Sequence, residues 1–159
     1  GQTLISPSLM ATMVGAIVGF LLWNFPAGKV FLGDVGSIFL GSLLGVYLVG
    51  SLYVESGLFW SYLILPGVFI VDSSFTLLVR LSSGLRITEA HRSHAYQRLS
   101  RKWGSQAKVV AAILLLNLCW LLPLAWVSIR EPAYGFALLV LAYLPLLVLC
   151  YGLGAGRKD

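Results

Sequence analysis

Three groups of polar residues interrupt an otherwise apolar sequence, and each is of a type that does chemistry. The first is Asn24-Phe25-Pro26-Ala27-Gly28-Lys29-Val30-Phe31-Leu32-Gly33-Asp34-Val35-Gly36-Ser37. Asp34 stands just ahead of an apolar run, between Gly33 and Gly36. There it serves either as a helix N-cap, worth about 1 kcal/mol, or as a metal-binding carboxylate beside glycines that let a phosphate approach the backbone. The two roles are compatible, since each carboxylate oxygen has two lone pairs. The second group is Asp72, inside a long apolar run, with Thr76 and Arg80 at four-residue steps and Ser73 beside it. On a helix these form one stripe. It is a structural polar seam or a functional one, because an ionisable group within a membrane span is costly. The third is the basic stretch Thr88 to Trp103. Drawn as a helix, it puts His91, His94, Arg98 and Arg101 on one face and Tyr96, Leu99 and Trp103 on another. That pattern fits an amphipathic helix lying on anionic lipid or a cationic hand for phosphates. Two histidines three residues apart, without a cysteine or third ligand nearby, are a poor zinc site.

The elements that must position these groups follow from composition. Of 159 residues, 58% are hydrophobic and 11% charged, with a mean hydropathy of +0.89. Soluble domains carry about 25% charged residues, and one core cannot hide this much apolar surface. A soluble enzyme, a disordered chain and a secreted disulfide scaffold are excluded. Cys119 and Cys150 lie in apolar runs and read as packing residues. The fold class expected is an all-α polytopic membrane protein. Continuous apolar blocks of about 20 residues predict five spans, near 5–23, 36–54, 58–81, 108–129 and 134–153. They are joined by cytoplasmic loops 24–35 and 82–107, and Pro66 predicts a kink or break in the third span. Ten of the eleven basic residues fall on one side of this layout and only Arg130 on the other. The N-terminus is therefore placed outside and the C-terminus inside. The net charge of +5 is thus a topology signal, with no nucleic-acid partner implied. Ala11, Gly15 and Gly19, and likewise Ser37, Gly41 and Gly45, form small-residue stripes expected to let helices pack closely.

The motif Asn-x-x-x-x-Lys-Val-Phe-Leu-Gly-Asp-Val-Gly-Ser, followed by Leu40-Gly41, resembles the cytoplasmic aspartate motif of the polyprenyl-phosphate sugar-1-phosphate transferases. The stretch His91 to Leu99 resembles that family's later histidine-rich sugar-recognition loop. Arg92 and His94 match, while Tyr96 and Gln97 stand where many members have histidines, a departure similar to the subgroup that starts O-antigen chains. The order of loops and spans resembles the C-terminal half of the longer members. The family's paired aspartates and nucleotide-binding segment belong to an earlier loop, so the chain is expected to be one half of a transferase and inactive alone.

The resemblance implies transfer of an N-acetylhexosamine-1-phosphate from a UDP-sugar to undecaprenyl phosphate, with release of UMP, at the cytoplasmic face of the bacterial inner membrane. Such an enzyme initiates cell-envelope polysaccharide and, in this subgroup, lipopolysaccharide synthesis. It implies Mg²⁺ as cofactor, with Asp34 as catalytic residue and metal ligand. Asn24, Lys29, Gly33, Gly36, His91, Arg92, His94 and Arg98 are the implied substrate-binding residues. The partners implied are undecaprenyl phosphate, a UDP-N-acetylhexosamine and membrane lipids, with a homodimer left open. The alternative is a non-catalytic five-span scaffold or transporter subunit, with Asp72 in an ion path and the basic loop on anionic lipid.

Overall fold

The computed structural model describes residues 7–26, 28, 30, 32–53, 56–86, 89 and 91–158; of these, the side chains of Pro7, Leu9, Met10, Asp34 and Ser56 are not described. All its regular elements among those residues are helices: α1 (Pro7–Asn24), α2 (Gly33–Ser51), α3 (Ser56–Ile64), α4 (Gly67–Ser82), α5 (Ala95–Trp103), α6 (Gln106–Leu116), α7 (Leu122–Arg130) and α8 (Gly135–Gly152). Among the described residues two helical stretches are long and apolar enough to cross a membrane, Gln106–Arg130 and Pro132–Gly152. They coincide closely with the last two expected spans. The fully described apolar parts of α1 and α2, Ala11–Asn24 and Val35–Ser51, are shorter.

α3 and α4 are apolar enough only as a pair, bent by 62° at a short break, the geometry of a broken span or a re-entrant loop. The cause is Pro66, which has no N–H to continue the helical ladder. The helix restarts at Gly67, with Ile70 N donating to the Pro66 carbonyl at 3.0 Å. A carbonyl freed by such a break is costly in lipid unless another group satisfies it. Here the Tyr143 hydroxyl, from α8, donates to the Leu63 carbonyl at 2.7 Å. A second proline shapes the following span. Pro123 offers no N–H to the Cys119 carbonyl, and the helix widens into a π-turn over Asn117–Leu121, a usual device for absorbing such a mismatch.

The core lies between α3, α4, α7 and α8, where Ile64, Val71, Leu121, Ala125, Ala142 and Leu146 are buried. Close helix approach depends on glycines other than those expected. A Cβ at Gly57 would lie 2.8 Å from Ile129 Cα, and one at Gly67 would lie 2.9 Å from Tyr143 Cε1. A Cβ at Gly135 would overlap the Trp60 ring. At Gly15, Gly19, Gly41 and Gly45 it would meet nothing within 4 Å. The small-residue stripes of α1 and α2 therefore mediate no close packing among the described residues. Spacing places residues on a face but does not say which face meets a partner.

Candidate functional site

The α4 stripe is observed, and it is buried: Asp72 and Arg80 are each 7% exposed and Thr76 is fully enclosed. What covers it is the basic segment, which docks by the N-terminus of α5. Asp72 Oδ1 accepts the Ala95 amide at 2.8 Å and the Thr76 hydroxyl at 3.2 Å, while Oδ2 accepts the Tyr96 amide at 3.5 Å. The first amides of a helix have no intrahelical partner, and they carry the positive end of its dipole. A carboxylate 23 residues earlier in the chain supplies what a local N-cap side chain usually supplies. His94 Nδ1 lies 3.7 Å from Asp72 Oδ1.

This geometry corrects the expected helix. His91 to Ser93 are not helical, and His94 is the extended cap residue (φ −66°, ψ 149°), with its own amide donating to Gln97 Oε1 at 3.3 Å. The helix starts only at Ala95, because Asp72 binds the amides of Ala95 and Tyr96. His91 and His94 are nevertheless adjacent, their ring centroids 5.0 Å apart, and His94 stacks on Tyr96 at 5.9 Å. His91 Nδ1 and Ser93 Oγ are 3.1 Å apart. Burial holds His91 below its ordinary pKa, and the positive charge of Arg80 and then of His94 pushes the same way. The apolar residues of α5 do form their own side. Tyr96, Leu99 and Trp103 line a cavity of about 250 Å³ together with Val109 of α6 and Leu146 of α8. A second cleft, of about 450 Å³, opens at the α3–α4 break and is lined by Asp72, Ser73, His94, Tyr96 and Asn117.

The segment after α8 completes the site, and sequence inspection missed it. Gly156 N donates to the Ser93 carbonyl at 2.8 Å, and Arg98 Nη2 donates to the Arg157 carbonyl at 2.6 Å. Gly156 has φ +80°, a conformation in which a side chain is strained. A Cβ there would lie 2.7 Å from both the Thr76 carbonyl and Val79 Cβ. The only signal in the sequence is the Gly154-Ala155-Gly156 run, whose purpose depends on a partner over sixty residues away. Arg92 is exposed, and its carbonyl accepts Arg101 Nη1 at 2.9 Å.

The aspartate turn is built differently. Asn24 Oδ1 accepts the Val30 amide at 2.8 Å, folding the turn between α1 and α2. Gly33, at φ +71°, starts α2 and takes a conformation that favours glycine. Leu32 is the N-cap position, so Asp34 is the second residue of the helix rather than its cap. The side chain of Asp34 and all of Lys29 lie outside the described residues. At Gly36 a Cβ would meet Leu32 Cγ at 2.6 Å, a flexible side chain that can give way. Gly28 faces the start of α6, where its Cβ would lie 4.0 Å from Gln106 Oε1. The turn thus approaches the α5–α6 connection.

Among the described residues no three His, Cys, Asp or Glu side chains gather as a metal cage. Asp72, the buried carboxylate, already accepts two amides and a hydroxyl, which suits an anchor better than a metal ligand. Mg²⁺ ordinarily takes one or two carboxylates, with phosphate oxygens and water completing its shell. Within the described residues the site offers no free carboxylate for that role. It does bring together Arg80, His91 and His94, a set suited to binding an anion.

Residues 3–52 match the family model Glycosyl transferase family 4. The chain is 32% identical over 112 residues to the probable undecaprenyl-phosphate N-acetylglucosaminyl 1-phosphate transferase of Bacillus subtilis, covering 69% of this chain and 31% of that protein. It is 35% identical over 103 residues to the undecaprenyl-phosphate alpha-N-acetylglucosaminyl 1-phosphate transferase of Thermotoga maritima, covering 65% and 35%. It is 37% identical over 71 residues to the phospho-N-acetylmuramoyl-pentapeptide-transferase of Streptococcus thermophilus, covering 45% and 19%. The chain thus spans about a third or less of the length of these relatives. No solved structure matches it. Residues 3–52, which include the Asp34 turn, are thus similar to Glycosyl transferase family 4, and the similar proteins are named as transferases of sugar 1-phosphates.

Proposed function

We propose that this chain contributes to a membrane transferase that moves an N-acetylhexosamine-1-phosphate from a UDP-sugar to undecaprenyl phosphate. An oxygen of the lipid phosphate forms a bond to the β-phosphorus of the donor. The bond from that phosphorus to the oxygen bridging to the α-phosphate breaks, and UMP leaves with the electron pair. Such transfers depend mainly on positioning and on charge neutralisation. The observation that carries this reading is the Asp34 turn within the segment that matches the family model, on a chain that also docks a His/Arg segment against Asp72 of the apolar helix α4. Asp34 is the carboxylate proposed to act in catalysis and to hold Mg²⁺, which when bound supplies positive charge to the phosphates. Further carboxylates would come from parts of the enzyme beyond this chain.

In this reading His94 and Arg92 bind the sugar or its phosphate, with His91 and Arg98 beside them and Asn24, Lys29, Gly33 and Gly36 shaping the Asp34 turn. Initiation of O-antigen synthesis at the cytoplasmic face of the inner membrane is the biological setting proposed. The test is UMP release from UDP-N-acetylglucosamine or UDP-N-acetylgalactosamine with undecaprenyl phosphate, in membranes carrying the product of the complete open reading frame that encodes this chain. His94→Ala is expected to raise donor KM or lower kcat. An unchanged His94→Ala enzyme would return the loop to lipid anchoring.

A further inference from the structure

Arg80 lies with His91 and His94 but has no role in the transfer proposed above. It closes the α4 stripe, is 7% exposed, and gives one hydrogen bond, from Nη2 to the Arg86 carbonyl at 2.7 Å. Among the described residues its Nε is buried with no hydrogen-bond partner. Among the described residues no carboxylate lies within ion-pair distance of it: Glu89 pairs with Arg86 at 3.4 Å, and Asp72 lies near His94 instead. Asp72 is also two helical turns away, about 12 Å along the axis. The electrostatic neighbour is His91, which Arg80 pushes toward the neutral form.

A guanidinium cannot shed its proton, so it stays charged where burial is expensive and the groups around it are basic. Its place in the last turn of α4 offsets part of that cost through the helix dipole. The dipole does not satisfy Nε. Buried charges are ordinarily paired, and the planar guanidinium fork matches the oxygens of a phosphate.

We propose that Arg80 is a substrate-binding residue, taking an anionic phosphate oxygen between the end of α4 and the His91–His94 segment. The identity of the phosphate rests on the transferase reading: it is the donor diphosphate or the lipid monophosphate. The requirement for an anion rests on Arg80 alone.

The test uses the product of the complete open reading frame, purified in detergent, with Arg80→Gln and Arg80→Lys variants. Inorganic pyrophosphate is titrated against thermal unfolding, and KM is measured for the UDP-sugar and for undecaprenyl phosphate. Loss of a charged hydrogen bond predicts that half-saturating pyrophosphate rises about ten- to a hundredfold in Arg80→Gln. Arg80→Lys, which keeps the charge but not the fork, falls between. A matching rise in donor KM with lipid KM unchanged assigns the oxygen to the diphosphate, and the reverse pattern assigns it to the lipid. If Arg80→Gln does not elute as a folded species, Arg80→Lys carries the comparison. Variants that match wild type in pyrophosphate response and in both KM values overturn the proposal, as does a wild-type protein that pyrophosphate leaves unstabilised. Arg80-dependent pyrophosphate binding without UMP release would keep the anion site and reject the transferase reading.

Discussion

Replacing Asp72 by alanine removes the anchor of α5, and the structure sets the size of the effect. The Ala95 amide loses its 2.8 Å acceptor and the buried Thr76 hydroxyl loses its 3.2 Å acceptor. A lost N-cap costs about 1 kcal/mol, and a buried group left unsatisfied costs about 1–3 kcal/mol more. A total of about 2–4 kcal/mol makes local opening about thirty- to a thousandfold more frequent. The assay is amide hydrogen exchange at Ala95 and Tyr96, together with the rate of trypsin cleavage after Arg98 and Arg101. Both should accelerate by that factor, while exchange in α6 and α8 stays close to wild type. Asp72→Asn keeps one acceptor oxygen for the Ala95 amide and should accelerate exchange far less. Unchanged exchange at Ala95 and Tyr96 in Asp72→Ala would refute the idea that this carboxylate holds the loop.

Other outcomes follow from the same contacts. Gly156→Ala forces a Cβ to within 2.7 Å of the Thr76 carbonyl at φ +80°. It should cost about 1–3 kcal/mol and lower the unfolding temperature. Tyr143→Phe strands the Leu63 carbonyl at the helix break and should cost about 1–3 kcal/mol, measured by thermal unfolding in detergent. His91, held below the ordinary histidine value of about 6.5 by burial and by Arg80, takes up its proton more readily in the unfolded chain. Stability should therefore fall as pH drops through that value. Arg80→Gln should weaken this dependence, and unfolding temperatures from pH 8 to pH 5 would measure both effects.

Much of this was legible in the sequence, and the reasons differ by element. The last two membrane helices were legible because unbroken apolar runs of the right length leave few alternatives in lipid, and the break at Pro66 because a missing N–H acts locally. The buried stripe of Asp72, Thr76 and Arg80 followed from helical spacing. Its partner did not. That Asp72 caps a helix beginning at Ala95 is a tertiary fact, and it moved the helix start past both histidines. The closure of Gly156 over Ser93 was hidden for the same reason. The stripes at Gly15 and Gly41 show the converse, a pattern without a packing partner among the described residues. The two loops of the proposed site stand out in the sequence because polar groups beside so apolar a chain have few structural uses.

The most direct measurement compares wild type with Asp34→Asn in the product of the complete open reading frame. It follows formation of undecaprenyl-diphosphate-linked sugar together with UMP, with protein level and fold checked by size-exclusion elution. The account predicts equimolar lipid product and UMP from wild type, and a loss of orders of magnitude in rate in Asp34→Asn at unchanged fold. An Asp34→Asn protein with near-normal rate, or a wild-type protein releasing no UMP from either UDP-N-acetylhexosamine, would contradict it.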